Sequence, residues 1–464
     1  MAADPLSPLT PLAEIDPAWA WSPFPSDAKL WTRELAAHLY RRGGFGGAWA
    51  EIDEAVADGC PGAVERLIAH APASDSFYGD ADRSVTALLA SGNANNLPAW
   101  WLYVMLQTPQ PLLEKLTLFW HGHFATSAAK VTDGRMMFAQ HALLRKHALG
   151  RFGPMLDELS KDPAMLVWLD ATTNHKARPN ENFAREVMEL FCLGIGNYTE
   201  HDIKEAARAF TGWELRQDAF RFNRHQHDGG EKTVLGRSGR FVGDDVLQIL
   251  LEQPATARFL VRKLFRFLVN ETAEAPDALL EPLAAGFRAS DYDMTWLLRT
   301  MLRSNFFYSP HAVRQRVKSP VEFAIGLLRM LQGSANTYAL ADDLRDLGQA
   351  VFFPPNVKGW DGGAAWINSS TLVGRANLVW KLASDSDGRY KTHLALDRLP
   401  ALDGLKEPAA ISRRIADLLL AAPLPDAVYV QLAAVAGDSA MANQPARLAR
   451  IVQAVATLPE FQLA

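Results

Sequence analysis

The stretch PAWWLYVMLQTPQPLLEKLTLFWHGHF, residues 98–124, is apolar round most of its helical circumference. Pro109 and Pro111 divide it into two helices, because the residue before a proline is pushed out of the helical region. A helix with no polar face has to be buried on every side, so this pair belongs in a core that other elements surround. Those elements are themselves helical. From Trp31 onward, AKLWTRELAAHLYRR, AWAEIDEAVADG and AVERLIAHA show the helical apolar period between glycine and proline punctuation. DDVLQILLEQPATARFLVRKLFRFLV and DMTWLLRTMLRSNFF repeat the pattern, and the part beyond Pro400 is Ala/Leu-rich and helical.

The expectation is a mainly α, multi-helical single-core protein with two departures. Residues 1–28 hold Pro5, Pro8, Pro11, Pro17, Pro23 and Pro25, which remove backbone donors, and they read as an extended arm anchored by Trp19, Trp21 and Phe24. FRFNRHQHDGGEKTVLG, residues 220–236, alternates over Phe220 and Phe222 and reaches Gly229-Gly230, which predicts a β-hairpin near 220–241. The helical core is expected over 29–385, with 386–464 a C-terminal helical segment packed on it. No 20–50-residue period marks a solenoid, and there is no low-complexity tract.

A formal net charge of -5 argues against general nucleic-acid binding, which needs a positive surface to neutralise phosphates. Two cysteines, Cys60 and Cys192, make no disulfide framework, although one bridge between them is open to the chain. No apolar run reaches the ~18–20 residues of a membrane span. The N-terminus lacks the basic and apolar regions of a secretion signal, so the chain as given is expected to be cytoplasmic, with the periplasm as runner-up.

PNENFAREVMELFCLG, residues 179–194, carries the densest polar pattern. At 100° per residue, Phe183, Ala184, Val187, Met188, Leu190 and Phe191 share one arc, while Glu181, Asn182, Arg185, Glu186 and Glu189 fill the other. Asn180 is the expected N-cap and Gly194 the stop. Glu181, Arg185 and Glu189 stand four apart and can pair along a solvated face, each pair contributing ~0.2–0.5 kcal/mol. If the face is buried, Glu186 and Glu189 are instead an acid-base or metal-binding pair, with Arg185 holding their charge. The following NYTEHDIKEAARAFTGW begins with Thr199 and Asp202 at capping-box spacing.

PNENFAREVMELFCLGIGNYTEHDIKEAARAFTGW resembles the signature segment of the bacterial domain-of-unknown-function 1800 family. LYRRGGFG, LTLFWHGHFATSAAKV, DPAMLVWLD, HDGGEKTVLG, VKSPVEF and FFPPNVKGWDGGAAWINSSTL match in order, over about residues 31–380. The resemblance implies kinship and carries no activity with it. It marks Trp120, His121 and His123; Asn180, Glu181, Arg185, Glu186 and Glu189; His227 and Asp228; and Lys358, Gly359 and Trp360. Many relatives have an export signal, which this N-terminus lacks. Relatives are often encoded beside proteins resembling the alkaline phosphatase and sulfatase superfamily, which suggests such a partner.

His121 and His123 flank Gly122. On a helix i and i+2 diverge by about 200°, so they share a metal only where the backbone is extended; otherwise His121 caps the helix and His123 bonds a core carbonyl. His225 and His227 would share a strand face, with Asp228 pointing away. His121, His123, His227 and Asp228, with Glu186 and Glu189, are the donors for a divalent transition metal such as zinc, iron or manganese. No Gly-x-Ser-x-Gly elbow, Walker loop or dinucleotide fingerprint occurs, and GGFGG at 43–47 follows a helix. Cys192 reads as a packed thiol. FFPPNVKGWDGGAAWINSS makes Lys358, Trp360 and Asp361 substrate-binding candidates, with Trp120 and Asn180, on a platform for a sugar or peptide; equally, Trp360 and Trp366 plug the core. Arg258, Arg262 and Arg266, with Lys263 beside them, form a basic stripe that faces either solvent, the acidic helix or an anionic substrate.

These expectations converge on an enzyme with a polar cleft walled by the 181–189 helix, the His121/His123 turn, the His227-Asp228 hairpin and the Trp360 loop. Its expected chemistry is metal-assisted hydrolysis of a small-molecule or glycan substrate, with Glu186, Glu189 and Arg185 catalytic. The alternative is a non-catalytic scaffold or accessory protein for a phosphatase-like or sulfatase-like partner.

Overall fold

The two apolar segments form the helices Leu97–Gln107 and Pro111–His123. A computed structural model describes residues 10–69, 74–384, 387–392, 394, 396, 399–420, 424–437 and 444–464. Within it the Pro111–His123 helix gives Leu112, Leu116, Phe119 and Trp120 to one large apolar cluster and Leu118 to a second. Each fully buried Leu or Phe contributes about 1.5–3 kcal/mol relative to exposure, so this helix is a principal tie between the two halves of the interior. Its neighbour is buried along most of its length, and the Trp101 indole N–H is satisfied by Glu114 Oε2 at 2.6 Å. The protein is mainly α. Among the described residues no helix is long and apolar enough to cross a membrane.

The first cluster runs from Leu12 to Ala312 along the chain. The proline-rich arm lies on it: the Trp21 indole donates to the Leu279 carbonyl at 2.6 Å, and the Phe24 ring centroid sits 4.8 Å from that of Tyr308. The arm is not extended throughout, since Leu12–Glu14 and Pro17–Trp21 form short helical turns, the second with proline at its tolerant first position. Residues 1–9 lie outside the described residues. Trp49–Ile68 breaks at Gly59, whose φ of 69° and following Pro61 end one helical run and start the next.

The β excursion is two hairpins. Trp213–Arg216 (β1) pairs with Ala219–Phe222 (β2), and Lys232–Val234 (β3) with Arg237–Gly239 (β4). The turn at Gln217 and Asp218, with φ of 53° and 58°, contains no glycine, which is why the sequence pattern located the turn at Gly229-Gly230 instead. Those two glycines form a loop held by Lys232, whose ammonium donates to the Asp228 and Gly230 carbonyls. His225 and His227 therefore sit in the turn after β2, and the shared strand face expected for them does not exist.

The second cluster joins Leu97–Gln107, Pro320–Met330 and Thr337–Asp346 to the C-terminal helices Pro408–Leu420, Asp426–Gly437 and Gln444–Ala456. The chain end folds back to pair Val317 with Leu463, and the Ala464 amide donates to the Arg316 carbonyl at 2.8 Å. This closure fixes the segment that carries Arg316. Cys60 and Cys192 are both free and buried.

Candidate functional site

The helix that begins at Asn182 is α-helical only to Glu186; Val187–Leu193 continue as a π-helix ending at Gly194, φ 75°. The last carbonyls of any helix lack intrahelical partners. Here side chains supply them. His123 Nε2 donates to the Phe191 carbonyl at 3.1 Å, Lys263 Nζ to that of Leu190 at 3.3 Å, and Asn197 Nδ2 to that of Leu193 at 2.9 Å. A carbonyl only accepts, so the Phe191 contact puts the His123 proton on Nε2 and leaves Nδ1 an acceptor. Lys263 Nζ donates to that Nδ1 at 3.0 Å. Burial and the neighbouring ammonium keep His123 neutral, well below the usual histidine range.

Lys263 comes from the Pro254–Leu268 helix and makes no ion pair among the described residues. Burial pushes its ammonium down to about 8. Two acceptors match the two N–H bonds of the neutral amine, which leaves its lone pair, or the third N–H of the charged form, for a ligand.

Lys263 and His123 open onto a cavity of about 430 Å³. Phe119, Phe267, Trp360 and Trp366 form its apolar walls, and Arg266, Arg316, Lys358, Glu271 and Asp361 its charged ones. Arg316 grips Glu322 in two bonds of 2.7 and 3.0 Å, and its Nε lies 3.8 Å from Glu271 Oε2. Glu322 is further held by the Lys115 ammonium and the Ser319 amide. Burial raises the Glu271 carboxyl, against the pull of Arg316 and of the Val317 amide bonded to it. The cavity thus holds a lysine displaced downward and a carboxyl displaced upward, the direction that suits proton transfer near neutral pH.

The loop carrying Lys358, Trp360 and Asp361 rests on the end of the Pro111–His123 helix. Gly359 has φ 80°, and a Cβ there would collide with the Gly122 carbonyl oxygen, so only glycine permits this approach. Beneath it, His121 Nε2 accepts from the Phe352 amide at 2.9 Å while the ring packs against Trp101, Phe352 and Trp360. Burial drives His121 down to about 3. His121 therefore supports the loop from below.

A second cavity of about 680 Å³ adjoins the first and shares Lys263 and Lys358 with it. Glu189 lines this one and accepts from the Tyr198 hydroxyl at 2.6 Å. Glu186 is half-buried, its carboxyl raised by burial and then by Glu189, with Arg185 and Lys358 opposing.

Of the residues singled out in the sequence, His123, Lys358, Trp360 and Asp361 meet at the first cavity, with Glu189 at the second. Others are elsewhere. Trp120 is fully buried and donates to the Ala148 carbonyl at 3.2 Å, so its expected contact with substrate gives way to a core role. Asn180 ties the helix entry together through Asn174, Thr173 and the Asn182 amide. Arg185 is held by Glu200 in two bonds of 2.8 Å and by Glu181. His227 bonds Thr211 and Asp228 bonds Arg208, so the hairpin does not wall the cavity; of the four expected segments the His121/His123 turn and the Trp360 loop wall it, and the 181–189 helix reaches only the second cavity, through Glu189. His121, His123, His227 and Asp228 do not converge, and no group of three His, Cys, Asp or Glu side chains is arranged to hold a metal among the described residues.

The basic stripe divides by function. Arg258 and Arg262 pair with Glu281 and Asp277, whereas Lys263 and Arg266 face the cavity. Glu271, Arg316 and Phe267 escaped the sequence reading, because Glu271 follows a helix end and Arg316 precedes one, with no spacing to connect them.

No curated protein and no solved structure matches this chain significantly. A family model does, described as a protein of unknown function and matching residues 38–463. The chain belongs to the DUF1800 family.

Proposed function

We propose that the cavity beside His123 and Lys263 is the active site of an enzyme that acts on an anionic substrate by proton transfer. The observation that carries this reading is Lys263: a lysine without a carboxylate partner among the described residues, displaced to about 8, bonded to a neutral histidine and open to an aromatic-walled cavity. In this role the Lys263 ammonium, two of its N–H bonds fixed by His123 Nδ1 and the Leu190 carbonyl, turns the third to the substrate anion and gives a proton to the leaving group as the bond to it breaks. Glu271, its carboxyl raised by burial, takes in its ionised form a proton from the water whose oxygen makes the new bond to the substrate. Arg266 and Lys358 balance the substrate's negative charge, and Trp360 offers a ring face. Glu189 lines the neighbouring cavity, and Glu186 acts on it only through the charges of Glu189 and Lys358. Metal-assisted hydrolysis with donors from His121, His123, His227, Asp228, Glu186 and Glu189 is not proposed, because among the described residues no three such side chains are grouped to hold a metal.

The test is calorimetric titration of the full chain with inorganic phosphate, sulfate and small carboxylates, alongside turnover of chromogenic phosphate, sulfate and glycoside esters. Saturable anion binding that Lys263→Met abolishes, with turnover that falls in the same variant, is the expected result. Absence of both shifts the assignment to an accessory protein for a phosphatase-like or sulfatase-like partner. That reading is favoured by Ile195, a large aliphatic side chain 77% exposed at the rim of the second cavity.

A further inference from the structure

Ion pairing accounts for half of the lysine and arginine charge lining the two cavities. Arg316 belongs to Glu322 and Glu271, Arg258 to Glu281, and Arg262 to Asp277. Among the described residues, the lining cations without an ion pair are Lys263, Arg266 and Lys358. Two of these, Lys263 and Lys358, line both cavities. The unpaired positive charge shared by both cavities is therefore that of Lys263 and Lys358, while Asp361 on the first side and Glu189 and Glu274 on the second are lining carboxylates without an ion pair among the described residues.

The two sides of this junction differ. The first cavity has the faces of Trp360, Trp366, Phe119 and Phe267, suited to the C–H face of a sugar ring. The second is mixed, with Glu189, Asn197, Glu274 and the paired arginines standing among Leu190, Leu193, Ile195 and Phe259, so that its polar groups suit hydroxyls. At about 430 and 680 Å³, each is within the usual range of small-ligand sites, so the two together exceed one monosaccharide. A nucleotide carries its charge at one end, whereas the two cations shared by both cavities stand in the middle of this groove with room on both sides.

We propose that the two cavities form one groove for an acidic oligosaccharide, with the carboxylate of an internal uronate held between Lys263 and Lys358. The inference rests on the proposed function, because it takes the Lys263 cavity as the site of substrate binding. Neighbouring sugars extend from the junction, one onto the tryptophan-lined side and one toward Glu189 and Asn197.

The experiment is calorimetry of the full chain with uronate fragments of one, two, three and four sugars from polygalacturonate, alginate and hyaluronan, and with methyl-esterified trimers. In at least one series the trimer is expected to bind about ten-fold or more tightly than the monomer. Esterification, Lys263→Met and Lys358→Met are each expected to weaken it by about ten-fold. Lys358 is exposed, so its variant is expected to fold normally. Equal affinity for monomer and trimer overturns the shared groove and leaves the single-cavity proposal standing. Equal binding of the esterified trimer overturns charge recognition at the junction. Binding of phosphate or a nucleoside diphosphate without any uronate overturns the saccharide assignment alone, and failure of every anion overturns both proposals.

Discussion

Lys263 Nζ lies 3.0 Å from His123 Nδ1, across 140 residues of chain, and no carboxylate pairs with that ammonium among the described residues. A partly buried lysine answered only by neutral acceptors costs stability in its charged form. A core designed for stability alone would avoid this arrangement, and the proposed site rests on it.

Replacing Lys263 with methionine should raise stability at pH 7 while abolishing anion binding. The folded value of about 8 lies below the ordinary 10.5, so between them the unfolded chain holds more protons and stability climbs with pH. Below that window the cost is constant. Discounted for partial exposure, it is about 1–2 kcal/mol. Urea unfolding of wild type and Lys263→Met from pH 6 to 10 checks this; the difference should shrink as pH rises, and a variant less stable at pH 7 contradicts it.

Anion affinity should follow the same group with opposite consequence. Below pH 8 Lys263 is charged and binds; above it the amine is neutral, so affinity falls as pH rises through about 8. Titration of the best-binding anion across this range reads it directly, and Lys263→Met should flatten the profile.

Glu322 anchors the cavity floor. Burial alone would raise its carboxyl, but Arg316 and Lys115 more than offset this and hold it well below its usual 4.5. Its contribution is present above pH 4.5 and is lost only as pH falls through the lower, folded value. Glu322→Gln leaves the buried Lys115 without a carboxylate and Arg316 with only Glu271, at 3.8 Å, and should cost about 3–5 kcal/mol, seen as a lower thermal midpoint at pH 7.

Gly359→Ala tests whether the loop must rest on the helix. With φ at 80° and the Gly122 carbonyl in the way, the added methyl should cost more than about 1 kcal/mol and displace Lys358 and Trp360. Anion binding should weaken with the core intact, so near-UV circular dichroism and calorimetry are measured together. Unchanged affinity would show that the loop is not part of the site.

Arg185→Ala should be nearly silent. Arg185 is held by Glu181 and Glu200 on a partly exposed face, where such pairs contribute about 0–1 kcal/mol, and it lines neither cavity. A large loss of binding would return the acidic helix to the centre of the chemistry.

The helical character of the protein was legible in the sequence because apolar periodicity is local. The buried arc from Phe183 to Phe191, the Gly194 stop and the Thr199-Asp202 cap all follow from residues a few positions apart. The first β turn was not legible, because Gln217 and Asp218 adopt left-handed angles that their residue types only tolerate. The π-helical turn was not legible either, since side chains from distant segments stabilise it by meeting its carbonyls.

What the sequence determined by itself was the helical character of the chain, the burial of most of the Leu97–Gln107 and Pro111–His123 pair, with Tyr103 exposed, and the short-range caps and pairs that delimit each element. Its periodicities act over one or two helical turns, and so do the forces they encode. Which polar residues meet was decided only by tertiary structure. His227 and Asp228 stayed with Thr211 and Arg208, while His123 met Lys263 and Glu271 met Arg316 across long stretches of chain. The physical reason is that charge placement inside a protein depends on which helix ends the core brings together and how far water is excluded between them, and neither is set by local spacing.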